Sequence, residues 1–194
     1  SSLLIVMTFG MTMVMAVRGI DLSIAQVADA AGVVAAMLIL SGKNFIVAIL
    51  GAMLFGLLVG IINAVLISYL GVPAIIGTLG MMFIVRSVEL TLTDGAQPQI
   101  LFTLPTERVK NFFFIGQESV GPISILILLT ILIIVAMYFA KERSTFGRHM
   151  DALCGNVRAS LLAGINVRKV FAATFIISSL LAALAGVMLV SRSG

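Results

Sequence analysis

Apolar residues run along this chain in six stretches separated by short polar or charged breaks, and their lengths predict helices that cross a membrane. The predicted segments are 1–17, 24–40, 45–70, 72–92, 123–140 and 170–190. The third is the longest; at 1.5 Å per residue it reaches about 39 Å, enough to span a bilayer with tilt. The fourth carries Pro73 near its start and Arg86 and Glu89 towards its end. The expected fold is therefore all-α: a polytopic helical membrane protein, one transmembrane domain over 1–194, with a broken helix near 18–23.

Composition agrees. The chain is 61% hydrophobic and 10% charged, with a mean hydropathy of +1.23. A soluble domain is about half apolar and about a quarter charged. The single Cys154 permits no intramolecular disulfide, and one His with one Cys cannot build a His/Cys metal site. No metal or cofactor is expected. The chain opens Ser1-Ser2-Leu3-Leu4 and ends at Ser193-Gly194, so it is expected to be an internal portion of a longer protein.

The charge is concentrated in one place. Residues 141–169 hold Lys141, Arg143, Arg148, Arg158, Arg168 and Lys169 against Glu142 and Asp151. Short loops rich in Lys and Arg stay in the cytoplasm, which predicts a cytoplasmic 141–169 and an external 93–122. This topology accounts for the basic pI near 9.7 without nucleic acid. In the external loop, Glu107, Arg108, Lys110 and Glu118 offer mixed charge to a partner, or simply a solvated surface.

Polar residues inside the apolar segments are the candidate working parts. Arg18-Gly19-Ile20-Asp21-Leu22-Ser23 separates two apolar helices, as a polar surface turn or as a broken helix beside a path. Arg18 and Asp21 are three apart and could neutralise one another. Asp29 is about 80° around a helix from Asp21, so both could face one cavity. Asn63, Thr78 and Gln26 could line it too, or serve as interhelical hydrogen bonds. Gly56 with Gly60, and Ala182 with Gly186, are small-residue pairs suited to close helix packing, within this bundle or between subunits.

The basic loop reads as two short helices. Ser144 or Thr145 can cap one that ends near Gly155; Asn156 can cap a second, 157–163, with Gly164 at the left-handed position after it. Val157 and Leu161 give the second an apolar stripe. About 10 Å long, it must dock on something, either its own protein or a partner.

The run Gly147-Arg148, Ala152-Leu153, Gly155-Asn156, Ala159 and Gly164-Ile165-Asn166-Val167 resembles the cytoplasmic loop of bacterial ABC importer permeases of the ribose/monosaccharide type. Gly19-Ile20-Asp21-Leu22-Ser23 looks like that family's first signature. Val72-Pro73-Ala74 with Thr78-Leu79-Gly80 and Arg86 looks like its second. The chain departs from the pattern at Ile24-Ala25-Gln26 and at Cys154-Gly155.

The resemblance implies a transmembrane permease subunit of an ATP-driven importer in the bacterial inner membrane. It would move a small polar solute, a monosaccharide such as ribose, with nucleosides or branched-chain amino acids as alternatives. Implied partners are a second permease subunit, a cytoplasmic ABC ATPase, an external solute-binding protein and membrane lipid. The chain shows no Gly-x-x-x-x-Gly-Lys-Ser/Thr phosphate loop, so ATP hydrolysis is expected in the separate ATPase. Gly147, Arg148, Gly155, Asn156, Arg158, Ala159 and Gly164 would couple to it; Asp21, Ser23, Asp29, Asn63 and Thr78 would line the translocation path. The rival classes are a secondary transporter, which predicts an inverted repeat, and a membrane enzyme, for which no nucleophile–base set is evident.

Overall fold

The computed structural model describes residues 2–95, 101, 106–120 and 122–193, except for the side chains at 106–108, 110, 111 and 120. The order of elements is α1 (Ser2–Ala16), α2 (Ile24–Leu40), α3 (Phe45–Ala64) running into a π-helical segment (Val65–Tyr69), α4 (Ala74–Leu92), α5 (Thr106–Gln117), β1 (Ser119–Val120), β2 (Ile123–Ser124), α6 (Ile125–Glu142), α7 (Thr145–Gly155), α8 (Val157–Leu162) and α9 (Val167–Ser193). Among the described residues, four helical stretches are long and apolar enough to cross a membrane: 45–69, 74–92, 125–142 and 167–193. Helices α1 and α2 are apolar but shorter.

The all-α expectation holds except for the two-residue antiparallel pair β1–β2, in which Val120 faces Ile123. Helix α5 and β1 fall in the region read only as a loop, and β2 takes the first two residues of the segment predicted over 123–140. Lacking a long apolar run, α5 left no trace in the hydropathy pattern.

The bundle is organised around α9. Of its most apolar 18 residues, 61% are buried, against 11% for α6, so α9 is the central post and α6 lies at the edge. Both small-residue pairs serve α9 within this chain. A β-carbon on Gly56 would press on Ala183 and the Ser179 carbonyl, and one on Gly60 would stand 2.9 Å from the Ile176 Cα. On the next face a β-carbon on Gly186 would overlap the carbonyl of Ala28, and one on Gly32 would stand 2.8 Å from the Val190 side chain. Lipid provides no hydrophobic drive between helices, so such backbone proximity is what gives the dispersion contacts that hold them together. Leu50, Leu54 and Leu58 on α3 and Leu132 on α6 are exposed, as lipid-facing side chains would be.

The two non-membrane regions sit at opposite ends. Met150 and Leu153 of α7 pack with Met13 and Val17 of the first segment and Val170 of α9. Leu101, Val109 and Phe112 pack instead with Ala35, Ile39, Ala48 and Val187. Val170 and Val187 are seventeen residues apart on one helix, about 26 Å.

Candidate functional site

Between α1 and α2 the chain does not continue as a helix. Arg18 has a φ of 62°, in the left-handed region, and Gly19 donates its N–H to the carbonyl of Val14 at 2.9 Å. A β-carbon on Gly19 would already be 3.0 Å from the Val14 side chain, so the turn tolerates little there. The expected Arg18–Asp21 pair does not form. The reversed backbone separates the two, and Arg18 donates to the carbonyls of Cys154 and Gly155, each at 3.1 Å. These are the last two residues of α7, where a cation meets the negative end of the helix dipole and free carbonyls.

Asp21 turns inward and is 1% exposed. Its Oδ1 accepts from the Ser23 N–H at 3.0 Å and the Ser23 hydroxyl at 2.6 Å, and its Oδ2 accepts from Ser178 Oγ at 3.3 Å. Asn63 Nδ2 donates to Ser23 Oγ at 3.1 Å. Thr78 joins from α4: its Oγ1 accepts from the Leu22 N–H at 3.1 Å and lies 2.8 Å from the Ala74 carbonyl and 3.2 Å from that of Ile20. Four of the five predicted path residues thus meet at one buried polar node joining α2, α3, α4 and α9. Among the described residues, Asn63 Oδ1 and Ser179 Oγ are buried without a hydrogen-bond partner.

Asp29 is the exception. It does not share a cavity with Asp21; its side chain is 55% exposed and stands 3.9 Å from Arg86. Arg86 also bonds Glu89 at 3.1 Å, and Glu89 accepts from Gln26. The 80° between Asp21 and Asp29 assumed one continuous helix, whereas α2 begins only at Ile24. Ser178, Arg86 and Glu89 were not among the predicted path residues. Ser178 lies in an apolar run with no local signal; Arg86 and Glu89 were visible as charges within a span but were not paired with Asp29 across helices.

The basic loop folds as its caps predict. Ser144 accepts from the Gly147 N–H at 3.1 Å, and Asn156 Oδ1 accepts from Arg158 and Ala159 N–H at 2.9 and 3.1 Å. Helix α8 ends at Leu162, one residue before the predicted end, because Gly164 takes φ 81° and closes the helix. The closure is two bonds, Gly164 N–H to Leu161 and Ile165 N–H to Ser160, both 3.0 Å. Gly147 sits where a β-carbon would overlap the Lys141 backbone, and so sets the tight α6–α7 corner. The predicted Val157/Leu161 stripe is not buried as a unit. Val157 packs towards α7 and Ser160 is buried, but Leu161 is 55% and Leu162 91% exposed. Arg158 and Ala159 are exposed as well; Arg148 and Gly155 are also on the surface. The side chains of Glu107, Arg108 and Lys110 lie outside the described residues.

These residues build an apolar helical bundle with a buried polar node at the break between two helices and a capped helix pair at one end, the make-up of a polytopic membrane protein. Comparison with known proteins specifies the class: the family described as branched-chain amino acid transport system / permease component matches residues 1–194, and the chain belongs to it. It is 33% identical over 187 residues to the ribose import permease protein RbsC of Escherichia coli K12, covering 96% of this chain and 57% of that protein. It is 32% identical over 194 residues to the autoinducer 2 import system permease protein LsrC of Photorhabdus luminescens, covering 100% of this chain and 56% of that one. The L-arabinose ABC transporter permease protein AraH of Azospirillum brasilense is 34% identical over 182 residues, covering 94% and 52%. The chain thus spans about half the length of the curated relatives it matches. No solved structure gives a significant match.

Proposed function

We propose that this chain belongs to the transmembrane subunit of an ATP-driven importer that carries a small polar solute, most closely a monosaccharide such as ribose, across a bacterial inner membrane. The observation that carries this reading is similarity along 94–100% of this chain to three transport permeases, two of them named for pentoses. In this reading six segments (α1, α2, α3 with its π segment, α4, α6 and α9) cross or enter the bilayer. The α7–α8 end faces the cytoplasm, and two such subunits enclose the path. The Asp21–Ser23–Asn63–Thr78 node braces that path, α5 with its neighbouring loop faces an external binding protein, and α8 presents Arg158, Ala159, Leu161 and Leu162 to a cytoplasmic ATPase. ATP binding to that partner would favour one of two bundle states and shift their populations, and hydrolysis would reset the cycle.

The test is uptake into proteoliposomes of the complete protein with its genomically neighbouring ATPase and binding protein. D-ribose, L-arabinose and L-leucine are offered in turn. Pentose uptake that needs both ATP and binding protein is the expected result; uptake driven by an ion gradient without ATP overturns it.

Two further outcomes follow from the same reading. In a Cys154→Ser background, Arg158→Cys should be labelled by an impermeant thiol reagent only from the cytoplasmic side; external labelling would invert the topology. Asn156→Ala leaves two N–H groups uncapped at a cost of about 1 kcal/mol, and Ala159→Glu places a charge on the exposed α8 face. Both should lower solute-stimulated ATPase activity while leaving solute binding to the external protein unchanged. Wild-type stimulation in both variants would remove α8 from the coupling path.

A further inference from the structure

We propose that Gln26, Asp29 and Arg86, backed by the buried Glu89, form a water-lined contact site for the transported solute, suited to an uncharged polyhydroxyl molecule and not to an anion. The proposal deepens the import reading and rests on it.

The first observation is depth. Asp29 is five residues from the Ile24 end of α2, about 8 Å along the helix, and eleven from the Leu40 end, about 16 Å. Arg86 is six residues from the Leu92 end of α4, about 9 Å, and twelve from the Ala74 end, about 18 Å. Val85, its neighbour, packs in a buried cluster with Val27, Ala30, Val59 and Ala182, so both helices are deep in the bundle at this level. The second observation is exposure: the side chains of Arg86 and Asp29 are 49% and 55% exposed. Charged groups at such depth face a bundle interior or a water-filled path, because hydrocarbon cannot solvate them. Here they do not face the interior of this chain.

The third observation is chemistry. One guanidinium, one carboxyl group and one amide offer donors and acceptors on a single face, with the buried Glu89 carboxyl behind them, joined by Arg86–Glu89 at 3.1 Å, Arg86–Asp29 at 3.9 Å and a Gln26–Glu89 bond. Hydroxyl groups both donate and accept, so a polyol can satisfy such a set. Carboxyl groups outnumber the guanidinium, so an anion finds no net attraction. The node at Asp21 differs: its carboxyl is saturated by Ser23 and Ser178 and closed to solvent, so it braces the break while the outer cluster meets the solute.

Ala25 is exposed and one helical turn before Asp29. In the complete importer carrying Cys154→Ser, Ala25→Cys should react with small polar methanethiosulfonates, the cationic reagent at least as fast as the anionic one. Adding Arg86→Gln should raise the cation-to-anion rate ratio and Asp29→Asn should lower it, each on the order of threefold. Saturating sugar of whichever kind the wild type carries, given with its binding protein, should slow the reaction. No labelling, while a control cysteine in the 93–122 loop reacts, would mean the face is packed or lipid-covered and would overturn the site. So would a rate ratio unmoved by either variant, or full-rate labelling under saturating sugar. If the importer carries neither pentose, the sugar reading falls by itself; the labelling ratios still decide whether the site is wet and charge-tuned.

Discussion

Gly186→Leu should leave almost no folded protein. The α2–α9 crossing allows contact between backbones: a β-carbon at 186 would overlap the carbonyl of Ala28 and stand 3.1 Å from the Gly32 nitrogen. Nothing in that list is a flexible side-chain end that could move aside. A larger side chain must therefore push α2 away from the central post, and with it the start of the polar node. Overpacking a core costs about 1–3 kcal/mol when neighbours can yield; here the obstruction is main chain, so the cost should exceed that range. Detergent-extracted protein should lose its monodisperse peak in size-exclusion chromatography, or melt well below wild type. Gly80→Leu is the control, since nothing lies within 4 Å of that position. Equal melting of Gly186→Leu and Gly80→Leu would show that the helices do not cross this closely.

Asp21→Ala should abolish transport while Asp21→Asn retains most of it. The carboxylate accepts three hydrogen bonds, from the Ser23 N–H, the Ser23 hydroxyl and the Ser178 hydroxyl. An asparagine keeps Oδ1 for both Ser23 donors, and the Ser178 hydroxyl can rotate to accept from the new amide. Alanine leaves a buried N–H and two buried hydroxyls without this partner, each at roughly 1–3 kcal/mol. The break would then reorganise, and Asn63, which donates to Ser23 Oγ, would lose its place as well. ATP-dependent uptake normalised to membrane-inserted protein measures this. Loss of uptake in both variants would assign Asp21 a charge role; full uptake in both would leave the break without a function in transport.

Much of the architecture was legible because membrane helices write themselves in hydropathy. A span of about 20 apolar residues is required whatever its neighbours do, and the boundaries predicted for the six segments fall within a few residues of the helices. The caps were legible for a related reason: a helix end has orphan N–H and C=O groups that only nearby residues can satisfy. Ser144, Asn156 and Gly164 occupy the roles their types suggest. Helix α5 and the β1–β2 pair carry no such obligatory local pattern, and they were missed.

Pairing across helices is where local reading stops. The sequence by itself determined that this is a helical membrane protein with a polar break at 18–23, a capped helix pair in its basic loop and small residues at the helix crossings. Only the tertiary structure decided that Arg18 reaches past Asp21 to the end of α7, and that Ser178, 157 positions away in the chain, completes the Asp21 node. It also decided that Asp29 belongs with Arg86. The physical reason is that a hydrogen bond or ion pair depends on which helix faces turn towards each other. That is set by the close backbone crossings of α2 and α3 on α9, a property of the packed bundle and of no single segment.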